Sequence, residues 1–355
     1  MNQPILSVKK LNTYFYSGET NTLNQSLFDI SFDLYRGETL GIIGESGSGK
    51  TITLLSLFGL VDAQPGICSG EIWLNQNNKS INLLENINKI ISIETANPDS
   101  LEIKKNDKAW KSNIEPKFQA IRGSQMAMIF QNPRLAFNPY ISIGKQINET
   151  IRLHTKIKDI TSAKEKVIEW LSAVKMDAPH IRYNNNPYGL SGGMCQRALI
   201  AMALSSEANI IIADEPTSGL DATIQSDILD LLEELKSKYN KSMIIVSHDL
   251  AVMRKITDKL LVYYKGNIVE SGSSASVLND FETIHPYTQS LIQAGNASNF
   301  IEENDNKLDQ DLKGCPYNTH CQFASNFGQK CYNEKPPLLK QNEEHAIACW
   351  RFSHG

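Results

Sequence analysis

The sequence has no apolar run long enough to cross a membrane. Its longest apolar segments, of which Leu54 to Val61 is an example, are far shorter than the roughly 20 residues that a transmembrane helix needs. Residues 1–10 mix apolar and polar side chains and lack the charged region and apolar core of a secretory signal. We therefore expect a chain that does not cross the membrane by itself and that works in the cytoplasm.

The sequence also has no excess of basic residues and no internal repeat. It contains 35 Lys and Arg against 39 Asp and Glu, a formal net charge of -4, so nucleic acid is not expected as a partner. Hydrophobic residues make up 41% and charged residues 21%, as in ordinary globular proteins. The 355 residues suffice for one large or two modest domains, and the missing repeat excludes two tandem copies of one domain.

Alternating strands and helices predict an α/β fold. An apolar strand at Thr39 to Ile43 leads through a glycine-rich loop into a helix at Thr51 to Leu60. Further along, a strand at Ile210 to Ala213, a helix at Ile224 to Tyr239 and a strand at Met243 to Val246 repeat this order. Such an order is typical of a parallel sheet covered by helices.

Three other parts of the chain surround this alternation. Strands are predicted at Ile5 to Leu11 and Phe28 to Leu34. Apolar residues have helical spacing at Ile141 to Leu153 and again at Ser162 to Val174. Residues 75–117 are rich in Asn, Lys and Ser, and we interpret them as a solvated surface insertion, with a partner-binding element as the alternative.

The glycine-rich loop has the pattern of a phosphate-binding loop. It consists of Gly44, Glu45, Ser46, Gly47, Ser48, Gly49, Lys50 and Thr51. Glycines let the main chain approach a phosphate closely, and the N–H groups at the start of a helix attract anions. Lys50, which we count as both a binding and a catalytic residue, supplies positive charge, and the Thr51 hydroxyl is placed to bind Mg²⁺. The loop therefore predicts a nucleoside triphosphate with Mg²⁺ as its ligand.

Polar side chains at other strand ends predict the catalytic part of the site. Asp214 and Glu215 end a buried strand, at the sheet edge where ligands bind in such folds. We expect Asp214 to hold Mg²⁺ and Glu215 to act as the general base that polarises the attacking water. His248 follows another strand and can sense a γ phosphate. Gln131 can contact Mg²⁺ or the water, although its sequence context also suits a simple turn.

Four of the six cysteines lie near the C-terminus, in a segment too short to have its own hydrophobic core. They are Cys315, Cys321, Cys331 and Cys349. Disulfides are disfavoured in the cytoplasm, so we expect a thiolate-bound metal site. Zinc and an iron–sulfur cluster both suit the spacing, His320 and His345 offer mixed zinc ligation, and a tail without metal is the third alternative. Cys68 and Cys195 are interpreted as isolated thiols.

Residues Leu190 to Gln196 resemble the signature loop of the ATP-binding cassette (ABC) family, and they lie shortly before the acidic strand end. Exposed N–H groups at the start of the predicted helix form a second anion site. The resemblance implies that this site binds ATP held by a partner cassette. Its members would be Ser191, Gly192, Gly193 and Gln196. The resemblance also identifies Asp221 as the acid of a loop that crosses the interface between the two cassettes.

Three further segments resemble the ATPases of oligopeptide and dipeptide permeases. They are Gly37 to Gly47, Phe130 to Pro133 and His285 to Thr288. Met194 and the segment Thr53 to Leu60 resemble the first of that system's two ATPase subunits. The resemblance therefore implies a second ATPase subunit as partner, with a homodimer as the alternative.

The same resemblance assigns two more residues to the nucleotide. Phe15 occupies the place where the family stacks an aromatic ring on adenine. Tyr14 or Tyr16 in that role, and an aromatic residue that only packs in the core, are the alternatives. Thr53, two residues beyond the phosphate loop, is included in the nucleotide-binding set. Cys195 stands where the subfamily usually has arginine, but it leaves the anion site of the signature loop intact.

The fold implied by the resemblance is α/β, that of an ABC-type nucleotide-binding domain. It would have a P-loop NTPase core with a parallel sheet, an antiparallel β subdomain, a helical subdomain and a short C-terminal cysteine-rich domain. We expect the cassette at 1–278, its helical subdomain at about 132–205, its insertion at about 75–117, a linker at 279–310 and the cysteine tail at 311–355. The cysteine spacing matches that of permease ATPases proposed to hold a 4Fe-4S cluster. ATP, Mg²⁺ and this cluster, with Zn²⁺ as the alternative, are the implied cofactors.

The function implied by the resemblance is that of the ATP-hydrolysing subunit of an ABC importer for oligopeptides or dipeptides. Its partners would be a second ABC ATPase subunit, two transmembrane permease subunits and, indirectly, a substrate-binding protein. The chain would be peripheral on the inner face of the cell membrane. The alternatives are the ATPase of a related importer for nickel or another solute, and a soluble ABC-type regulatory ATPase.

Overall fold

The structure is a computed structural model that describes residues 3–16, 22–62, 64–76, 79–97, 100–279, 281–297 and 313–353. The chain forms two compact units. The first unit contains residues 1–35, 40–118 and 247–355, and the second contains residues 36–39 and 119–246.

The strands and helices follow one another along the whole described chain. The strands are β1 (Leu6–Tyr16), β2 (Leu23–Leu34), β3 (Thr39–Ile43), β4 (Pro65–Gln76), β5 (Lys79–Asn82), β6 (Ile91–Asn97), β7 (Ser100–Lys105), β8 (Met126–Ile129), β9 (Ile210–Asp214), β10 (Ser242–Val246), β11 (Lys259–Tyr264), β12 (Asn267–Ser273), β13 (Leu339–Lys340) and β14 (His345–Ile347). The helices are α1 (Lys50–Leu57), α2 (Asp107–Asn113), α3 (Glu115–Ile121), α4 (Pro133–Ala136), α5 (Ile143–His154), α6 (Ile160–Ala173), α7 (Pro179–Arg182), α8 (Gly192–Ser205), α9 (Ala222–Lys238), α10 (Leu250–Ile256), α11 (Ser274–Asn279), α12 (Pro286–Ala297) and α13 (Lys330–Asn333). Among the described residues, no helix combines the length and apolarity needed to cross a membrane.

An antiparallel sheet of the first unit has the strand order β2-β1-β4-β5. Leu6 of β1 lies opposite Leu34 on one side and Leu74 on the other, and all three side chains are buried. Alternate residues of a strand share one face, so this register sends one apolar row into the core. The sheet confirms the predicted strands at 5–11 and 28–34.

A second sheet of the first unit has the strand order β13-β14-β12-β11-β3. β3 and β11 run parallel, and their residues are almost all buried. This is expected of parallel strands that are covered on both faces. The tail contributes β14, which pairs antiparallel with β12, and His345 lies opposite Gly272. The cysteine-bearing segment is thus attached to the cassette through a shared sheet.

The predicted linker at 279–310 is wrong in its described part. Residues 286–297 form α12, and Ile284, Tyr287 and Thr288 are at most 1% exposed. The polar composition predicts a linker, but some polar groups of this segment are hydrogen-bonded to a buried carboxylate. The Thr288 hydroxyl and the backbone N–H of His285 both donate to the carboxylate of Glu270 on β12. The rest of that prediction, residues 298–310, lies outside the described residues.

The segment predicted as a solvated insertion is a folded part of the first unit. Its β6–β7 hairpin is exposed in places, with Ile93 at 43%. The segment nevertheless buries the apolar side chains of Leu83, Leu84, Ile87, Ile90, Ile91, Ile103 and Ile114, and Phe118, one residue beyond it on α3, is also buried. A Cβ added to Gly59 would lie 2.6 Å from the Phe118 ring, so this ring packs directly against the residues after α1. The sequence did not reveal this core because its apolar residues are scattered among many polar ones.

The second unit combines a parallel sheet of order β10-β9-β8 with helices α4 to α9. All residues of β9 and β10 are buried. Helices α5 and α6 confirm the helical spacing seen at 141–153 and 162–174. α6 begins at an Asp159 cap, whose carboxylate accepts the N–H of Ser162 at 2.7 Å. Strand ends and helix starts of this unit carry several of the predicted site residues.

Candidate functional site

The phosphate loop joins β3 to α1 and needs glycine at two positions. Gly44 has φ 147°, and a Cβ there would lie 2.2 Å from the Tyr263 carbonyl oxygen. Gly49 has φ 101° and caps α1, and a Cβ there would lie 2.9 Å from a methyl group of Leu27. Only glycine combines a positive φ with such close approach. The loop therefore takes the compact form that the sequence predicts.

Lys50 is buried within this loop and folds back over it. Its ammonium donates to the carbonyl oxygens of Gly44 at 2.7 Å and Glu45 at 2.6 Å. The Ser48 hydroxyl is buried and has no hydrogen-bond partner among the described atoms, whereas Thr51 is exposed. A buried cation, an unpaired hydroxyl and the N–H groups at a helix start form a donor set that fits phosphate.

Three other predicted residues of the first unit have different surroundings. Thr53 is fully buried, and its hydroxyl donates to the Gly49 carbonyl at 3.0 Å. Phe15 is half-buried near the end of β1. His248 is exposed just before α10. The assignment of Thr53 to the nucleotide stays a prediction, with its side chain in the core one turn along α1.

The second unit brings two predicted catalytic residues together. The Gln131 amide, just after β8, donates to the Glu215 carboxylate at 2.7 Å. Glu215 has φ 44°, a backbone conformation that is costly for a side chain other than glycine, and its N–H donates to Val246 at 3.0 Å. Asp214, at the end of β9, is 6% exposed. The strand end thus aims one carboxylate at the amide of Gln131, as a water-positioning pair requires.

The signature loop forms the start of α8. Ser191 caps the helix, and its hydroxyl accepts the N–H of Met194 at 3.3 Å. A Cβ on Gly193 would lie 2.8 Å from Ile224, so glycine allows close packing here. Gln196 is 2% exposed and its Nε2 makes no hydrogen bond with a described residue, so its role at a partner's nucleotide stays a prediction. Cys195 is fully buried, and burial raises the pKa of its thiol to about 11, which makes it an inert thiol.

Asp221 has a local structural role in addition to its predicted one. It caps α9, and its carboxylate accepts the N–H of Ile224 at 3.0 Å. The residue is exposed. An exposed carboxylate at a helix start is stabilised by the helix dipole and stays accessible to a partner.

The four tail cysteines line one cavity of the first unit. Its wall is formed by Cys315, Cys321, Cys331, Cys349, His285, Tyr317, Asn318, Phe323, Ala324, Phe327 and Trp350. Burial raises the pKa of the Cys315 thiol to about 12 and that of Cys349 to about 11, and the neighbouring tail cysteines add to both shifts. Thiols in such surroundings are deprotonated only with a compensating positive charge.

This cavity differs from the predicted mixed zinc site. Within the described ranges, no group of three or more His, Cys, Asp or Glu side chains is arranged to hold a metal ion. His345 lies 2.6 Å from the Glu270 carboxylate, and His320 is exposed. Neither lines the cavity, so the suggestion of mixed ligation by these two residues is wrong.

Sequence reasoning missed His285, the histidine that does line the cavity. Burial lowers the pKa of His285 to about 3, against a smaller opposite effect of the Ala348 backbone. The imidazole is therefore neutral. The segment His285 to Thr288 resembles permease ATPases, and this resemblance was the one sequence feature that could have pointed to His285.

Proteins of known family resemble this chain in sequence. The family described as ABC transporter matches residues 27–218. A probable peptide ABC transporter ATP-binding protein of Sinorhizobium fredii is 35% identical over 356 residues, covering 98% of this chain and 95% of that protein. The oligopeptide transport ATP-binding protein of Escherichia coli is 35% identical over 357 residues, covering 98% and 93%. A dipeptide transport ATP-binding protein of Bacillus subtilis is 33% identical, covering 98% and 95%.

Solved structures share the fold. A dimeric ATP-binding cassette bound to ADP and phosphate in a post-hydrolysis state has a TM-score of 0.58 at 21% identity, covering 76% of this chain and 98% of that one. A component of an ABC transporter complex from Clostridium perfringens has a TM-score of 0.57 at 22% identity, covering 84% and 99%. The chain therefore belongs to the ABC transporter family and has the fold of its ATP-binding cassette.

Proposed function

We propose that this chain is the ATP-hydrolysing subunit of an ABC importer for oligopeptides or dipeptides. The observation that carries the proposal is the occurrence of a phosphate loop and a signature loop in one chain, each at the start of a helix. The names of the relatives support peptides as the transported class, since three of them that match 98% of this chain are peptide, oligopeptide or dipeptide transport ATP-binding proteins.

The proposal assigns a role to each residue of the ATP site. Lys50 and the loop N–H groups bind the phosphates, and Phe15 stacks on adenine. Mg²⁺, when bound, neutralises charge on the phosphates, and we assign Thr51, Gln131 and Asp214 to it. Glu215 orients and deprotonates the attacking water, with its carboxylate held by the Gln131 amide at 2.7 Å. His248 senses the γ phosphate.

The same proposal requires partners. The signature residues Ser191, Gly192 and Gly193 are accessible N–H donors at the start of α8, and we assign them, with Asp221, to ATP held by a second ABC ATPase subunit. Two transmembrane permease subunits would receive the conformational change, and a substrate-binding protein would deliver the peptide. The chain would act at the inner face of the cell membrane. Because each site needs two cassettes, the isolated chain should hydrolyse ATP slowly.

The decisive test is the substitution Glu215→Gln in the purified full-length chain with its ATPase partner. Loss of a general base reduces turnover about 100- to 10,000-fold, while Mg·ATP remains bound. Glu233→Gln, an exposed change on α9, is the matched control and should keep wild-type turnover. Full turnover in Glu215→Gln would remove Glu215 from its assigned role.

Transport itself can be tested in cells that lack the gene for this chain. Wild-type protein should restore the uptake of a labelled tripeptide, and Glu215→Gln should not. Normal peptide uptake in the deletion strain, together with a loss of nickel uptake, would replace peptides by a metal cargo.

We further propose that the four tail cysteines hold a 4Fe-4S cluster. A zinc ion would need its thiolates about 2.3 Å from a single point. The four tail cysteines line one cavity, and four cysteine thiolates are the ligand set of a 4Fe-4S cluster.

Purification without air tests the cluster. The wild-type chain should be brown and contain about four iron and four sulfide per chain. Cys315→Ser should lose them, and Cys68→Ala, at a buried thiol outside the tail, should keep them. A colourless, iron-free wild-type protein would refute the cluster, and one zinc per chain would identify the alternative metal.

A further inference from the structure

A chain of contacts within the first unit joins the cysteine cavity to the phosphate loop. The hydroxyl oxygen of Tyr287, on α12, accepts the backbone N–H of Glu45 in the phosphate loop at 2.9 Å. The backbone N–H of Tyr287 donates to Nδ1 of His285 at 3.0 Å. His285 lines the cavity of the four cysteines. One residue therefore contacts both the loop and the wall of the cavity.

The position of Tyr287 is determined by aromatic neighbours from the cassette and from the tail. Its ring lies 4.5 Å from that of Tyr264 and 5.4 Å from that of Tyr317, centroid to centroid. Tyr317 follows Cys315 by two residues and also lines the cavity. Its hydroxyl lies 2.9 Å from that of Ser290, one turn along α12. Tyr287 is 1% exposed, so its hydroxyl cannot move without moving these neighbours.

The other nitrogen of His285, Nε2, interacts only weakly with the Ala348 backbone. Because Nδ1 accepts a hydrogen bond and the ring is buried, the proton of the neutral imidazole lies on Nε2. Nε2 is buried and makes no hydrogen bond of ordinary geometry with any described residue. A buried donor whose acceptor is poorly aligned gains from a better placed one. Sulfur of a group held in the cavity would be such an acceptor.

We propose that Tyr287 is a positioning residue for the phosphate loop, and that the content of the cysteine cavity acts on ATP binding through His285, Tyr317 and Tyr287. The inference rests on the proposed function, because it concerns the affinity of the same ATP site. The tail then has a role in nucleotide binding and is more than a separately stapled domain. Tyr287 does not touch the nucleotide; it holds the main chain that does.

The size of the effect follows from one hydrogen bond. A neutral hydrogen bond contributes about 0.5–1.5 kcal/mol, which corresponds to about two- to tenfold in an equilibrium constant. Tyr287→Phe removes the hydroxyl and keeps the ring. We expect it to raise the dissociation constant for Mg·ATP by about two- to tenfold, without a comparable change in turnover at saturating ATP.

The first experiment measures binding of a fluorescent ATP analogue with Mg²⁺ to the full-length chain. Tyr332→Phe removes a hydroxyl from an exposed tail tyrosine and is the matched control. Wild-type affinity in Tyr332→Phe and weakened affinity in Tyr287→Phe support the inference. Equal affinity in Tyr287→Phe and wild type overturns it. A wild-type chain that does not bind Mg·ATP at all would instead refute the proposed function.

A double-mutant cycle separates coupling from general damage. Tyr317→Leu should weaken binding in the wild-type background and have little further effect in the Tyr287→Phe background, because both changes break one path. Additive effects overturn the coupling. If Tyr317→Leu lowers the melting temperature of the nucleotide-free chain, Ser290→Ala replaces it, since it removes only the partner hydroxyl of Tyr317.

The last comparison uses the cavity itself. Wild-type protein purified without air should bind the analogue more tightly than the same protein stripped of iron, and Tyr287→Phe should bind it equally in both forms. Equal affinities of the loaded and stripped wild type overturn the role of the cavity content. If the chain takes up no iron, the proposed cluster fails, and the double-mutant cycle alone decides the inference.

Discussion

Replacing Glu270 by alanine is expected to detach the C-terminal strand β14 from the rest of the first unit. Glu270 is 0% exposed, and its carboxylate has three close polar neighbours. The His345 ring lies 2.6 Å away, the backbone N–H of His285 donates at 3.0 Å, and the Thr288 hydroxyl also donates. One carboxylate thus joins β12, α12 and β14.

The expected cost can be worked out from these contacts. Removing the carboxylate leaves the His345 ring, the Thr288 hydroxyl and the His285 N–H buried without their partner. Each orphaned buried polar group costs about 1–3 kcal/mol. Three such groups in the lower part of this range together cost about 3–5 kcal/mol. We therefore expect the free energy of opening β14 to fall by about 3–5 kcal/mol, a large share of the stability of an ordinary domain.

Hydrogen exchange followed by mass spectrometry gives the most direct assay. Amides of residues 345–347 pair with β12, so their exchange should accelerate about 100-fold or more in Glu270→Ala, as the free-energy change implies. Glu343→Ala, at an exposed residue of the same segment, is the matched control and should leave exchange unchanged. Wild-type protection of β14 in Glu270→Ala would refute the reasoning.

Three further outcomes can be checked on the same full-length chain. Phe118→Ala should lower the free energy of unfolding, measured by urea denaturation, by about 3–5 kcal/mol. Ile93→Ala, at a 43% exposed site, is the control and should not lower it. Equal effects of the two substitutions would show that residues 79–118 contribute no buried core. Asp221→Ala should lower the free energy of unfolding by about 1 kcal/mol because the N-cap of α9 is lost, and Asp221→Asn, which can cap the helix, should keep the wild-type value. Equal melting temperatures of the two variants would contradict the capping role. In metal-free protein, alkylation of Cys315 by iodoacetamide should be slow at pH 8 and become steadily faster as the pH rises further. Burial raises the pKa of this thiol to about 12, and only the thiolate reacts. An alkylation rate that stays constant above pH 8 would contradict the raised pKa.

The features predicted well are those that depend on neighbouring residues. Helices α5 and α6 were visible because their apolar residues recur at helical spacing. The phosphate loop was visible because Gly44 and Gly49 adopt conformations that other residues avoid. Apolar periodicity and the need for glycine in a tight loop depend only on neighbouring residues, so a single sequence is enough to detect them.

The direction in which a side chain points is what the sequence does not give. Thr53 and Gln196 lie one or two turns into helices that begin at the predicted anion sites, yet both side chains point into the core. Motif matching identified the helix but did not give the rotation of each residue about its axis. That rotation depends on which face packs against the rest of the unit.

The sequence alone determined the chemistry of this protein: a phosphate loop, an acidic strand end, a signature loop and four clustered cysteines. Only the tertiary structure decided which distant residues serve one another. The polar segment before α12 is buried because Glu270, 15 residues earlier, satisfies it, and Tyr287 reaches a loop 242 residues away. A buried polar group requires a partner, but the partner can come from anywhere in the chain, so its identity emerges only when the chain is folded.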